Sequence, residues 1–178
     1  MIARLLRSLI GAVTGKHGLH SRSYEGIRIV GSDAFLERTE NALHLLWTTR
    51  QWKTILDNIR VIKEGDRTGM WLKKQPTFIV SPKTWDTSAL WYAGVIAHEC
   101  YHHILYQRVR AESWIYWTKF DAWLGLEAEK SCLQFQMEIL QELNAPESLL
   151  QYVQGLRTNP SYHRTPRHWF DHSMRDDC

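Results

Sequence analysis

Between Ile96 and Leu105 the chain places three histidines, a glutamate and a cysteine within six consecutive positions of an otherwise apolar stretch. If that stretch is helical, residues four apart lie about 40° from each other around the axis and one turn along it. His98 and His102 then project from one face and can share a cation. Glu99 sits one step round from His98, placed to take a proton from a water beside that cation. The residue types suit the task. Two neutral imidazoles bind Zn²⁺ and leave it strongly Lewis-acidic, and a nearby carboxylate can serve as base and then as acid. His103 is five positions from His98, about 140° round, and reads as a histidine outside the ion's reach. Cys100 points away from the same face and reads as a small buried residue. Glu99 and His103 are also four apart, but that pairing has no base in the matching place.

Two histidines do not complete such a site, since a catalytic zinc takes three protein ligands and keeps one position open. No further histidine follows at close spacing, for Val109 to Ser113 hold none. The next helical stretch offers Glu127 and Glu129 among apolar positions Leu126, Cys132, Leu133, Met137 and Leu140. An acid placed there is either a ligand or the start of a solvated face. Glu112, close after the first stretch, is a more distant candidate.

His98, Glu99 and His102, followed by Glu127, Ala128 and Glu129, resemble the pattern of the gluzincin-type zinc metallopeptidases. The resemblance covers about residues 78–143. It implies one bound zinc ion, with His98, His102 and Glu127 as its ligands and Glu99 as the catalytic base. Lys130 and Ser131 depart from the pattern, where Ala and Asp or Asn are more usual, and Glu129 stands as the alternative ligand. The implied activity is hydrolysis of peptide bonds in a peptide or protein substrate. The alternative is a zincin-fold binding or regulatory protein with little general proteolysis. The implied fold is α+β and zincin-like: a small, twisted, mostly antiparallel sheet packed on the motif helix, with a following helix carrying the third ligand.

The elements that must hold these residues are legible in part. Gly26 to Gly31 brackets a β-branched run that predicts a strand, and Ser32 can cap the helix that follows to about Thr49. Trp52, Ile55 and Leu56 predict a short helix. Ile59 to Ile62, Met70 to Leu72 and Thr77 to Val80 predict three strands. Pro76 and Pro82 bracket the last of these and favour an edge position, where an extended peptide could add beside the cleft. Helices are expected over about 88–107, carrying the motif, then 121–143, then 146–154. Tyr106, Trp114, Tyr116, Trp117, Phe120 and Trp123 crowd the region between the first two, as core or as a wall of the cleft. Tyr106, Tyr116, Tyr162, His163 and His168 are candidates to stabilise an oxyanion.

At 178 residues, with 44% apolar residues, the chain suits one domain, expected over residues 25–157. Residues 158–178 read as an irregular polar tail. Residues 1–24 form a basic opening segment, in which Ile2, Leu5, Leu6, Leu9, Ile10 and Val13 recur at helical spacing beside Arg4, Arg7 and Lys16. Residues 1–14 suit contact with the domain, a membrane surface or a partner. A net charge of +3 gives no reason to expect nucleic-acid binding. Three cysteines, Cys100, Cys132 and Cys178, read as free thiols in a reducing compartment, hence a cytoplasmic location. No apolar run is long enough to span a bilayer.

Overall fold

The structure is a computed structural model and describes residues 19–72, 75–112 and 121–159. It is α+β. Strands β1 (His20–Tyr24) and β2 (Ile27–Gly31) form an antiparallel hairpin in which Tyr24 faces Ile27. Its two turn residues, Glu25 and Gly26, both have positive φ, 46° and 96°. That is the turn whose twist matches a two-residue hairpin. The expected boundary at residue 25 therefore falls inside this hairpin, and the folded unit includes His20–Tyr24. Along β2, Ile27, Ile29 and Gly31 are buried while Arg28 is exposed. This is the alternation of a half-buried strand.

Helix α1 (Asp33–Trp47) starts where Ser32 was expected to cap it, and the Ser32 hydroxyl accepts a hydrogen bond from the Phe35 N–H. Glu64 fastens the same corner by accepting at 2.6 Å from the Ser32 N–H. Its negative charge suits the N-terminal end of a helix. Phe35, Leu36, Leu43 and Leu46 bury one face of α1. Helix α2 (Trp52–Asn58) leads into β3 (Val61–Glu64). Then come β4 (Gly69–Trp71), β5 (Thr77–Val80) and a short turn of helix, α3 (Pro82–Trp85).

The sheet order is β1-β2-β3-β5-β4. The β1–β2 and β5–β4 pairs are antiparallel, whereas β2–β3 and β3–β5 are parallel. The sheet is thus mixed, and the expectation of a mostly antiparallel sheet is corrected. So is the edge: β5 lies inside, between β3 and β4, and the edge strand beyond it is β4. Pro76 and Pro82 flank β5 without interrupting its ladder, and the Pro76 carbonyl itself accepts from the Arg60 and Val61 N–H groups.

Helix α4 (Ala89–Glu112) is the central element. Every residue from Tyr92 to Cys100 is buried, as in a helix packed on several sides. Tyr92, Ala93, Ile96, Ala97 and Cys100 join Ile27, Ile29, Leu43, Ile62 and Phe78 in one core. The helix runs five residues beyond the expected Gln107, because Val109 packs with Tyr106 and Trp123 in a satellite cluster. The expected single helix over 121–143 is two, α5 (Asp121–Leu124) and α6 (Leu126–Glu142), broken at Gly125. A Cβ there would sit 2.6 Å from the Asp121 carbonyl oxygen, so the break is closed tightly enough to require glycine. Asn144, at φ 53°, ends α6 in the left-handed conformation, and α7 (Glu147–Thr158) packs Val153 against Leu133 and Leu140.

Candidate metal centre

Helices α4 and α6 pack closely against each other. Gly94 sets the approach: a Cβ built on it would lie 3.1 to 3.3 Å from Gln136 and Leu140 of α6. One turn further along α4 comes His98, and a second turn brings His102. Opposite them, α6 presents Glu129 and Cys132, three apart and so on one face. Two helices thus bring Glu129 and Cys132 of α6 up to the two histidines of α4.

The distances are short. His98 Nε2 lies 3.1 Å from His102 Nε2. The Glu129 carboxylate stands across both rings, with one oxygen 3.4 Å from His98 Nε2 and the other 3.3 Å from His102 Nε2. Cys132 Sγ completes a buried group with the two histidines, the three donor atoms all lying within 4.8 Å of one another. Glu99 is buried beside them, and its charge acts on both His98 and Cys132.

The donor set fits a metal. Neighbouring ligand atoms about 2.0–2.1 Å from a tetrahedral zinc are about 3.3 Å apart, which matches the spacing of the ring nitrogens and carboxylate oxygens. A donor set with nitrogen and sulfur is unlike the oxygen cages that hold Mg²⁺ or Ca²⁺. The buried cluster of His98, His102 and Cys132 could bind a metal ion.

The titratable groups of the site act strongly on one another. Burial pushes the His98 imidazole down from its usual range, so that it stays neutral. Burial also opposes a charge on His102, but Cys132 and the Glu129 carboxylate beside it overcome that and raise it well above the usual range. Burial opposes the charge on Glu129 in turn, and the two histidines outweigh it, holding the carboxyl ionised far below its ordinary value. His102 Nδ1–H donates to the Trp123 carbonyl at 3.0 Å. Its Nε2–H then points to His98 Nε2, the arrangement of an imidazolium shared between two rings. A metal would replace that Nε2 proton and leave the Nδ1 bond in place, which fixes the ring's tautomer and orientation. The accepting carbonyl belongs to the last turn of α5.

Of the residues singled out in the sequence, His98, Glu99 and His102 lie together on the buried side of α4. Glu127 does not join them. Its side chain is 81% exposed and pairs with Lys130 at 2.8 Å. Glu129, with a side chain only 16% exposed, is the acid that meets the histidines. The expectation for Glu127 is corrected for a physical reason: the break at Gly125 sets the phase of α6, and Ala128, Cys132, Phe135 and Gln136 define its inner face. Glu127 falls beside Lys130 and Ser131 on the outer one. Glu112 is exposed at the end of α4, about 15 Å along the axis from His102.

His103 faces α2. It donates from Nδ1 to Asn58 Oδ1 at 3.0 Å and accepts from Gln107 at 2.9 Å. Cys100 is fully buried, its Sγ 3.8 Å from the Thr54 carbonyl oxygen. Tyr106 packs edge-on to Trp123, with ring centroids 5.2 Å apart. Trp114, Tyr116, Trp117, Phe120, Tyr162, His163, His168, Cys178 and the opening segment to residue 18 lie outside the described residues. The sequence reading missed Cys132 as a member of the site. The available signal was its place three residues after Glu129 on the inner stripe. No family model, curated protein or solved structure matches this chain.

Proposed function

We propose that this protein is a zinc-dependent peptidase of gluzincin type, with His98, His102 and Glu129 holding one ion and Glu99 acting as general base. The observation that carries this reading is the meeting of Glu129 with both histidines, at 3.3 and 3.4 Å, beside a buried Glu99. Two helices that bring two histidines and two carboxylates together out of water incur a large desolvation cost, which a bound cation offsets. When bound, zinc supplies Lewis acidity, which polarises a carbonyl and lowers the pKa of water.

The chain's own residues do the rest. Glu99 is kept close to His98 by the helix and shielded from bulk water, so its carboxylate can accept a proton from an attacking water and return it to the leaving amine. Trp123 holds the His102 ring through its carbonyl. The edge strand β4 runs antiparallel to β5 and packs against α4. An extended peptide can pair with its outer side through main-chain hydrogen bonds, and Trp71, 56% exposed there, offers an apolar contact.

The decisive experiment pairs metal analysis with Glu99→Gln. We expect one zinc per chain in both forms. Cleavage of unstructured protein substrates should fall in the variant by a factor of about 10² to 10⁴. Equal cleavage by the two forms would remove Glu99 from the mechanism. Bound zinc with no cleavage by either form would instead support a binding or regulatory role on the same fold.

A further inference from the structure

The sequence contains two cysteines that fold into buried positions, and they are placed differently. Cys100 Sγ lies against a backbone carbonyl in the main core, as a small apolar residue does. Cys132 Sγ instead falls within 4.8 Å of the donor nitrogens of both His98 and His102. Cys132 is fully buried, on the same face of α6 as Glu129. With Glu129 it forms a pair three apart that answers the His98 and His102 pair four apart on α4.

We propose that Cys132 is a fourth protein donor to the metal, occupying the position that an attacking water needs, so that the resting centre is closed. This rests on the metal reading above and adds regulation of that same site. Zinc sites with four protein ligands are closed, and those that hydrolyse keep one position open. The two histidine nitrogens have the Glu129 oxygens at 3.4 and 3.3 Å and the Cys132 sulfur within 4.8 Å, so the chain itself offers enough donors to fill the sphere. Hydrolysis then requires the sulfur to leave first. That step exchanges one ligand bond for another, the sulfur keeps its electron pair, and no oxidant is consumed. Because Cys132 is wholly shielded from solvent, its departure needs a change at the α4–α6 contact and not merely the arrival of substrate.

Cobalt(II) substituted into the full-length protein tests this without relying on activity. We expect the wild type to show a sulfur-to-cobalt charge-transfer band in the near ultraviolet, and Cys132→Ser to lose it while still binding one cobalt per chain. We also expect Cys132→Ala, loaded with zinc, to cleave an unstructured protein substrate about tenfold faster than wild type or more. Cobalt bound by the wild type without a sulfur band would overturn the fourth donor and leave the peptidase reading standing. Failure of the wild type to bind either cobalt or zinc would overturn both. The wild-type spectrum decides the matter even if the variants fold poorly.

Discussion

Two acids two positions apart, Glu127 and Glu129, meet opposite fates in this protein, and the difference is testable one residue at a time. Glu129→Gln should weaken zinc binding by more than the roughly 10- to 100-fold that loss of a supporting contact costs. Glu127→Gln, which breaks only an exposed pair with Lys130, should leave zinc affinity within about twofold. Competition with a chromophoric chelator measures both. A second expectation concerns protons. In the metal-free centre His102 holds a proton well above the usual imidazole range, with the Glu129 carboxylate beside it. An ion held by His102 would have to displace that proton, so loading zinc at neutral pH should release at least one proton per ion, and affinity should fall as pH is lowered. A weakly buffered titration reads the release directly. The histidines and Glu99 were legible in the sequence because a spacing of four maps onto one helix face whatever else the chain does. The choice between Glu127 and Glu129 was not, because it turns on where α6 begins. A helix read as continuous from 121 carries no sign of the break at Gly125. The polar company of Glu127, with Lys130 and Ser131 three and four positions on, was the local clue.

At the level of elements, the capped helix α1, the buried run of α4 and the strand β2 follow directly from periodicity and from Ser32. Strand β1 does not, since His20–Tyr24 is polar and exposed in its middle, and only the turn at Glu25 and Gly26 announces it. The position of β5 inside the sheet was hidden for another reason. Flanking prolines restrict a strand's ends but say nothing of its neighbours, and the pairing with β3 is between segments more than a dozen residues apart. The element contact that matters most for the site is α4 on α6 at Gly94. A valine there would press on Gln136 and Leu140, which a bare Cβ would already approach to within 3.3 Å. Gly94→Val should therefore destabilise the protein by about 1–3 kcal/mol, despite removing a helical glycine. It should also lower zinc affinity by moving Glu129 and Cys132 away from the histidines. Thermal unfolding with and without zinc separates the two effects.

For the molecule as a whole, zinc bound only by the folded state adds stability by mass action, about 4 kcal/mol when free zinc exceeds the dissociation constant a thousandfold. In a chain of this size that corresponds to a rise in Tm of about 8–16 °C. Chelation should remove the rise, and the Glu129→Gln protein should show much less of it. Among the described residues no helix is long and apolar enough to cross a membrane. The four proposed donors come from two segments far apart in the chain, His98 and His102 before the aromatic stretch and Glu129 and Cys132 after it. Neither helix alone can assemble the set. During refolding, uptake of an ion should therefore coincide with the docking of α4 on α6. A zinc-sensitive dye added to refolding chain would serve as a clock for that single assembly event.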